Sequence, residues 1–324
     1  MNVSVPAPEF ADSTDREDFE RAVLAGLSQS PRAISPKYLY DVRGSALFDE
    51  ICRLPEYYLT RTETEILKRH AADIASRAGP GAALIEFGSG SSVKSRLLLD
   101  SMKDLALYAP IDISRQHLDE AINRLRSDYP TLRIEPVCAD YMAPHPLPTI
   151  EAKARRLGFF PGSTIGNLRP EEATKFLQRA RSMLGDNGDL VLGVDLKKDP
   201  RRLHDAYNDS AGVTAAFTLN LLRRINRELS GTFDLGGFAH EAFYNARQGR
   251  IEIYLLSLRE QSAHVAGRRF DFGSGERIHA EYSYKYDPAD VARLAEAGGF
   301  AIAQLWTDEE RLFAVAYMKA TGRL

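Results

Sequence analysis

Short apolar runs alternate with helical patterns through the middle of the chain. Runs of this length predict buried strands, and the segments between them have apolar positions every three or four residues, which predicts helices. The predicted strands cover residues 82–87, 105–112, 133–140, 156–160 and 189–196, and helices are predicted at about 92–103, 114–128 and 170–184. Strands that alternate with helices pair in parallel, with helices on both faces of the sheet. We therefore predict an α/β fold.

The alternation stops after residue 196. Residues 200–230 have a helical pattern, whereas residues 243–285 alternate like antiparallel strands. A helix at 287–298 and strands at 300–306 and 311–319 complete the pattern, and we expect these two strands to form an antiparallel edge of the main sheet. The sequence thus predicts a parallel-sheet domain with an antiparallel edge, formed by residues 76–199 and 286–324. A second, α+β lobe is predicted from residues 1–75 and 200–285.

The segment before the first core strand has two notable features. Thr60 and Glu63 have the spacing of a capping box, so a helix is predicted to begin there and to stop before Gly79. Tyrosines are concentrated just upstream, at positions 38, 40, 57 and 58. Surface packing explains any one such ring best. Four together suggest a lid lined with phenol rings.

Composition narrows the functional classes. The chain has 324 residues, 44% of them hydrophobic, and a net charge of −3. No basic excess indicates a nucleic-acid or membrane partner, and no apolar run is long enough to span a membrane. The two cysteines, Cys52 and Cys138, fit a reducing compartment, and the seven histidines lack metal-ligand spacing. We expect a cytoplasmic protein without a metal site.

A glycine turn follows the first core strand. Gly88-Ser89-Gly90 comes directly after Glu86-Phe87, and the next helix is expected to be capped by Ser91 or Ser92. GxxxxGK[ST] is absent, and Val93 replaces the third glycine of GxGxxG. The remaining E-x-G-x-G resembles the first motif of Rossmann-like S-adenosylmethionine-dependent methyltransferases. An ordinary strand–turn–helix corner has the same pattern, so this turn alone does not distinguish a cofactor-binding site from a structural turn.

Acidic residues follow the next two predicted strands. Asp112 lies roughly 20 residues after Gly90, the distance at which an acid binds ribose hydroxyls. Asp140 suits an adenine amino group, with the Tyr141 ring beside the base, and Lys94 is a candidate to neutralise the methionine carboxylate of the cofactor. Each acid alone is explained as well by a helix cap or a turn. A nicotinamide dinucleotide would use a similar acid, but the missing glycine and the late antiparallel insertion favour the sulfonium cofactor.

Longer motifs are more specific. They are Tyr40-Asp41-x-x-Gly44-Ser45-x-Leu47-Phe48, Leu54-Pro55-Glu56-Tyr57-Tyr58, Thr60-Arg61-Thr62-Glu63, Gly162-Ser163-Thr164-Ile165-Gly166-Asn167 and Ala211-Gly212-Val213-Thr214-Ala215-Ala216-Phe217. Together they resemble the histidine-specific methyltransferases of ergothioneine biosynthesis, from about residue 20 to the C-terminus. The resemblance implies trimethylation of the α-amino group of L-histidine to hercynine, with S-adenosyl-L-methionine as cofactor.

The resemblance also implies site residues by motif position. Those for the cofactor are Gly88, Ser89, Gly90, Lys94, Asp112, Asp140 and Tyr141. Those for the substrate are Tyr57, Gly162, Asn167, Tyr207, Glu281, Tyr282 and Ser283, with Tyr40 and Asn167 as candidate catalytic residues. The α+β lobe is then the substrate-binding lobe and the sheet domain the cofactor-binding one. We expect a small-molecule substrate and a monomer.

The chemistry of these residues agrees with the resemblance. Glu281 and Ser283 are two apart on a predicted strand and therefore point to one face, where a carboxylate suits an imidazole N–H. The alternative for Glu281 is an exposed strand residue paired with an arginine. Tyrosine faces stabilise the cationic substrate and products, and the sequence shows no dedicated base.

Two departures keep other functions open. Ile253 stands where many histidine-selective members have methionine, and Tyr141 replaces an expected phenylalanine. The first departure makes methylation of another amino acid, such as tryptophan, an alternative. A binding or interaction protein without catalysis is a further alternative.

Overall fold

A computed structural model of the chain describes residues 13–90, 93–143, 145–150 and 154–322. The expected helix cap at Ser91 or Ser92 lies outside the described residues. Two compact units divide the chain. The first unit contains Met1–Glu56, His204–Tyr244 and Glu252–Glu281, and the second contains Tyr57–Leu203, Asn245–Ile251 and Tyr282–Leu324.

Helices and strands follow in chain order. The helices are α1 (Ser13–Ser28), α2 (Val42–Ile51), α3 (Tyr58–Ala78), α4 (Val93–Ser101), α5 (Arg115–Asp128), α6 (Pro170–Leu184), α7 (Pro200–Asp205), α8 (Val213–Glu228) and α9 (Pro288–Ala297). The strands are β1 (Arg32–Ala33), β2 (Ala83–Phe87), β3 (Leu107–Asp112), β4 (Val137–Cys138), β5 (Arg156–Phe160), β6 (Asp189–Asp195), β7 (Phe238–Asn245), β8 (Arg250–Ser257), β9 (Gln261–Val265), β10 (Arg268–Phe272), β11 (Arg277–Tyr284), β12 (Phe300–Thr307) and β13 (Phe313–Ala320).

The second unit is built on a seven-stranded sheet of order β12-β13-β6-β5-β2-β3-β4. Strands β4, β3, β2, β5 and β6 are parallel, and β13 joins β6 and β12 in antiparallel pairing. This confirms the predicted α/β class and the antiparallel edge. The strand order reverses direction next to β2, and open α/β sheets bind ligands at the carboxyl ends of strands beside such a switch point.

Apolar burial holds this sheet in place. Every residue of β2 and β6 is buried, because helices cover both faces. On one face the rings of Phe87, Phe160 and Phe176 pack against each other, with centroid distances of 4.3–6.3 Å. This aromatic cluster lies under the carboxyl ends of β2 and β5, so it supports the edge that carries the candidate site.

Three sequence predictions about elements were wrong in detail. The strand expected over residues 133–140 is reduced to β4 and a single bridge at Ile134, and Pro136 between them has no N–H to donate. The helix expected over 200–230 is two helices, α7 and α8, since Gly212 adopts a φ of +72° at the start of α8. The capping box also fails, because α3 begins at Tyr58 and the Glu63 side chain is buried inside the unit.

The first unit combines helices α1, α2 and α8 with a four-stranded sheet of order β1-β11-β8-β7 and a β9–β10 hairpin. β1 pairs in parallel with β11, with Arg32 opposite Ile278. Parts of three of its strands belong to the second unit: the last residue of β7, the first two residues of β8 and the last three residues of β11. The predicted lobe boundary at residue 75 falls inside α3, whose residues all belong to the second unit. Which unit binds substrate and which binds cofactor stays a prediction.

Three further observations bear on the functional class. Neither Cys52 nor Cys138 forms a disulfide bond. No helix in the described part of the chain is long and apolar enough to cross a membrane. Within the same residues, His, Cys, Asp and Glu side chains form no group of three or more that could hold a metal ion.

Candidate active site

The glycine turn lies at the carboxyl end of β2, beside the switch point. Gly88 and Gly90 have φ values of +74° and +47°, a region that favours glycine. The N–H groups of Gly88 and Ser89 donate to the Ile111 carbonyl at 2.8 and 3.3 Å. The Gly90 N–H donates to Asp112 Oδ2 at 3.1 Å. A side chain at Gly90 would meet no atom of the described residues within 4 Å, so these residues leave open space beside the turn.

Polar side-chain atoms at this turn can form hydrogen bonds with a ligand. Ser89 is 5% exposed, and its Oγ has no hydrogen-bond partner among the described residues. Asp112 is half-buried and accepts from the Ser114 N–H at 3.0 Å as well as from Gly90. A buried hydroxyl without a partner costs free energy, so a polar group is expected to bind there. The turn therefore fits the ribose and amino-acid parts of S-adenosylmethionine.

Asp140 and Tyr141 follow β4 at the same edge. Asp140 Oδ1 accepts from the Met142 N–H at 2.8 Å, which fixes the turn. The Tyr141 ring packs edge-on against Phe160 and Phe176, with centroid distances of 5.4 and 5.7 Å. A Cβ at Gly88 would lie 3.7 Å from the Tyr141 ring. The structure thus brings Tyr141 beside the glycine turn, and its place next to the adenine base stays a prediction.

Glu86, the acid of the E-x-G-x-G motif, is a buried residue of β2 beneath the glycine turn. It is 1% exposed, and Ser95 Oγ and Tyr108 OH both donate to Oε2, the former at 2.6 Å. Burial raises the pKa of Glu86 to about 7, against the lowering effect of these two hydrogen bonds. Glu86 thereby ties β2, β3 and α4 together under the glycine turn.

Glu63 does not cap a helix, as its spacing from Thr60 predicted, but bonds to Gly162 and Lys94. Both of its carboxylate oxygens accept from the Gly162 N–H, at 3.0 and 2.8 Å, and Oε2 accepts from Lys94 Nζ at 2.5 Å. A Cβ at Gly193 would lie 2.0 Å from Glu63 Oε1, so glycine is required there. The buried carboxylate on α3 therefore fixes the ammonium of Lys94 beside the loop after β5.

That loop carries Gly162 and Asn167. Gly162 and Ser163 have φ values of +79° and +57°, and the Asp195 N–H donates to Ser163 Oγ at 2.9 Å. A short 3-10 helix, Thr164–Asn167, follows and ends at the half-buried Asn167. A Cβ at Gly166 would lie 2.7 Å from the Tyr284 carbonyl oxygen. The Gly-Ser-Thr-Ile-Gly-Asn motif thus fixes this loop against the end of β11.

A buried charged cluster lies below the loop, at the carboxyl end of β6. Tyr58 OH donates to both oxygens of Asp195, at 2.8 and 2.9 Å. The ammonium groups of Lys198 and Lys285 pair with the same carboxylate, and the Lys285 Nζ–Asp195 Oδ2 distance is 2.7 Å. Lys285 Nζ also donates to Ser283 Oγ at 2.8 Å. Burial lowers the pKa of Lys198 to about 8.

In the first unit, the Tyr40–Asp41 motif has a structural explanation. Asp41 Oδ1 caps α2 by accepting from the Gly44 N–H at 2.7 Å, and it also accepts from Asn220 Nδ2 at 2.7 Å. Arg227 on α8 pairs with Asp41 Oδ2 at 2.7 Å. Tyr40 precedes this cap, and its ring packs edge-on against Phe48 and Phe217 at 5.6 and 5.5 Å. The motif therefore joins α2 to α8 and fixes Tyr40 at their junction.

Tyr207 and Glu281 are the other predicted site residues of this unit. Both are 7% exposed. The Tyr207 carbonyl lies 2.9 Å from His240 Nε2, and His240 Nδ1 lies 3.0 Å from Thr218 Oγ1. Burial lowers the pKa of His240, which favours the neutral ring. The burial of Glu281 excludes the alternative of an exposed strand residue.

Because side chains alternate along a strand, Tyr282 lies on the opposite face of β11 from Glu281 and Ser283. Glu281 and Ser283 are both buried on one face of β11. The Tyr282 ring packs instead against Tyr284 at 6.0 Å, and the Arg250 guanidinium lies 3.8 Å from the centre of the Tyr282 ring. The roles expected of Glu281, Tyr282 and Ser283 in substrate binding stay predictions.

The four upstream tyrosines are divided between the two units, with Tyr38 and Tyr40 in the first and Tyr57 and Tyr58 in the second. Tyr38 packs on Phe19 at 4.8 Å in the first unit, and Tyr58 bonds to Asp195 in the second. Packing, and not a lid, accounts for these two rings. Tyr57 is 7% exposed and immediately precedes α3, in the same unit as Gly162, Asn167 and Ser283.

The chain is similar to known proteins over nearly all of its length. A family model described as histidine-specific methyltransferase, SAM-dependent, matches residues 19–320. The histidine N-alpha-methyltransferase of Mycolicibacterium smegmatis is 44% identical over 95% of this chain and 96% of its own length. That of Mycobacterium tuberculosis is 39% identical over 95% and 97%. Ergothioneine biosynthesis protein 1 of Neurospora crassa is 32% identical over 86% of this chain and 32% of its own length.

Proposed function

Since the chain belongs to the family of SAM-dependent, histidine-specific methyltransferases, we propose that it methylates the α-amino group of L-histidine. Three transfers from S-adenosyl-L-methionine would give hercynine, Nα,Nα,Nα-trimethyl-L-histidine, the first step of ergothioneine biosynthesis. The observation that carries the choice of substrate is the buried pair on β11. Glu281 supplies a carboxylate for a ring N–H, and Ser283 supplies a hydroxyl on the same face.

The glycine turn and its neighbours are proposed to bind the cofactor, which supplies an electrophilic methyl group on its sulfonium. Asp112 is assigned to the ribose hydroxyls, and Asp140 to the adenine amino group with Tyr141 beside the base. Lys94 is assigned to the methionine carboxylate. Its ammonium is held on Glu63 at 2.5 Å, so its position is fixed before the cofactor binds.

The remaining residues are proposed to hold the amino-acid part of the substrate. Tyr57, Asn167 and Tyr207 are assigned to the carboxylate and the amine, with Tyr40 and Gly162 close by. Methyl transfer is an in-line displacement, so most of the rate comes from holding a neutral amine in line with the methyl group. Tyrosine rings stabilise the ammonium products without consuming the nucleophile, and the released proton passes to water or to a phenol.

Another amino acid on the same scaffold, such as tryptophan, is the second candidate. Ile253, which is 4% exposed on β8, motivates it because methionine stands there in many histidine-selective members. The buried pair of Glu281 and Ser283 disfavours it, because an imidazole has two ring nitrogens that can form hydrogen bonds and an indole has a single N–H.

A substrate panel tests the proposal. The purified chain is incubated with S-adenosylmethionine and each of L-histidine, L-tryptophan, L-tyrosine and L-phenylalanine, and mass spectrometry counts the methyl groups added. We expect trimethylated histidine to dominate. Absence of methylated histidine at saturating cofactor would refute the assignment, and bound cofactor without any methylated product would indicate a binding protein.

We also propose that the enzyme is a cytoplasmic monomer. Cys52 and Cys138 form no disulfide bond, which fits a reducing compartment. Size-exclusion chromatography with light scattering measures the mass in solution, and a dimer mass would contradict the monomer.

A further inference from the structure

One buried carboxylate connects the residue assigned to the cofactor carboxylate with the loop assigned to the substrate. Glu63 on α3 is buried, and its Oε2 accepts from Lys94 Nζ at 2.5 Å. Both of its oxygens also accept from the Gly162 N–H, at 3.0 and 2.8 Å. Lys94 lies in the first turn of α4, and Gly162 lies in the loop after β5. All three residues belong to the second unit, so the connection lies within one unit.

The three groups are packed in close contact. A Cβ at Gly162 would lie 3.3 Å from Lys94 Nζ, so the ammonium lies directly against the glycine backbone. The Lys94 side chain is 16% exposed, whereas that of Glu63 is 1% exposed. Of the two charged groups, the ammonium is therefore the one that an incoming carboxylate can contact. Because a charge-assisted hydrogen bond is short and strong, a ligand that fixes the Lys94 ammonium also restricts the Glu63 carboxylate.

The loop that contains Gly162 depends on outside contacts for its conformation. Ser163 has a φ of +57°, which is costly for a residue with a Cβ and persists where the surroundings hold it. Glu63 holds the preceding residue, and the Asp195 N–H donates to Ser163 Oγ at 2.9 Å. Asn167, assigned to the amino-acid substrate, ends the short 3-10 helix of the same loop. The order of this loop therefore affects how much conformational entropy is lost when substrate binds.

We propose that Glu63 is a positioning residue that couples the binding of the two ligands. A carboxylate bound to Lys94 fixes the ammonium and, through Glu63, orders residues 162–167 for the amino acid. The inference rests on the proposed function. An amino acid that meets an ordered loop loses less conformational entropy, so the coupling is positive. By linkage, the amino acid raises the affinity for a carboxylate-bearing cofactor by the same factor.

Two adenosine ligands separate the carboxylate from most of the cofactor, since S-adenosylhomocysteine has it and 5′-methylthioadenosine lacks it. Calorimetry measures the affinity of the full chain for L-histidine at saturation with each ligand. Hydrogen exchange with mass spectrometry measures the protection of the amides of 162–167 with each ligand and without amino acid.

The test variant and its control lie on the same helix. Glu63→Gln keeps an oxygen that can accept from the Gly162 N–H but removes the charge that holds Lys94. Glu65→Gln is the matched control, because it removes an exposed carboxylate of α3 that is paired with Lys68.

We expect S-adenosylhomocysteine to raise the histidine affinity of wild-type protein by about fivefold or more relative to 5′-methylthioadenosine, within the usual range of coupling between sites. It should also slow exchange at 162–167 relative to 5′-methylthioadenosine, because an ordered loop opens less often. Glu63→Gln should abolish both differences, and Glu65→Gln should keep them.

Two results would overturn the inference. One is that the two adenosine ligands affect the loop and the histidine affinity equally in wild-type protein, and the other is that both differences persist undiminished in Glu63→Gln. If Glu63→Gln does not fold, Lys94→Met takes its place and should also abolish both differences, because the ligand carboxylate then has no ammonium through which to act on Glu63. Since the exchange measurement needs no amino acid, protection of the loop in a protein that does not bind histidine would refute the proposed substrate and support the role of Glu63.

Discussion

The Glu63 side chain packs so closely against Gly193 that a Cβ on Gly193 would lie 2.0 Å from Glu63 Oε1. The glycine on β6 is what allows a buried carboxylate from α3 to reach both the Gly162 N–H and Lys94. Two residues far apart in sequence thus cooperate to place one ammonium group at the carboxyl edge of the sheet. The first two predictions follow from this relationship.

Gly193→Ala should destabilise the protein by about 1–3 kcal/mol, because the methyl group overpacks a buried site. It should also weaken S-adenosylmethionine binding, since Glu63 must move and take Lys94 with it. Chemical denaturation and calorimetry measure the two effects. Gly273→Ala is the control, because the nearest atom to its Cβ would be 3.9 Å away. Equal stability of the two variants would contradict the close contact.

Lys94→Met should weaken S-adenosylhomocysteine binding about tenfold or more and leave 5′-methylthioadenosine binding nearly unchanged, because only the former has a carboxylate. Glu63→Gln should show the same selectivity to a smaller degree, since Lys94 then loses its anchoring charge. Isothermal calorimetry with both ligands makes the comparison. Equal losses for the two ligands would show that Lys94 does not face the carboxylate.

Glu86→Gln should change how stability depends on pH. The pKa of Glu86 is raised from 4.5 to about 7 by burial, so the folded state holds a proton that the unfolded state releases. Its contribution to stability is fully present below pH 4.5 and is lost as pH rises through 7. The free energy of unfolding of wild type minus that of Glu86→Gln should therefore fall by about 3 kcal/mol across this range. A difference that stays constant or rises with pH would contradict the buried protonated acid.

Much of this architecture was predictable from sequence. The sheet could be predicted because strands that are buried on both faces are continuous apolar runs, such as 82–87 and 189–196. Such a run is visible in the sequence without knowledge of the residues that pack against it. The glycine turn and the ring of Tyr141 beside it were also anticipated, since strand ends in parallel sheets meet at one edge.

Other features could not be predicted because they depend on tertiary contacts. Thr60 and Glu63 have the local spacing of a cap, yet the partners of Glu63 are Lys94 and Gly162, which are distant in sequence. The Asp195–Lys285 pair gave no local signal either, because nothing in the spacing of 195 and 285 indicates that they meet. The glycine at position 193 was the available clue that a large side chain crosses β6.

Glu281→Ala should damage the use of histidine far more than cofactor binding. Losing the charged partner of an imidazole N–H costs about 2–5 kcal/mol, so kcat/KM for histidine should fall by at least about thirtyfold. S-adenosylhomocysteine affinity should be nearly unchanged by calorimetry. Glu241→Gln, which removes a carboxylate charge paired with Arg277 at the surface, should keep wild-type kinetics.

A competition assay tests the central claim most directly. Wild-type protein and Glu281→Ala are each given S-adenosylmethionine with equal concentrations of L-histidine and L-tryptophan, and mass spectrometry quantifies both trimethylated products. The account predicts that hercynine is nearly the sole product of wild-type protein and that its excess over trimethylated tryptophan collapses in Glu281→Ala. Methylated tryptophan as the main wild-type product, or the same product ratio in both proteins, would contradict it.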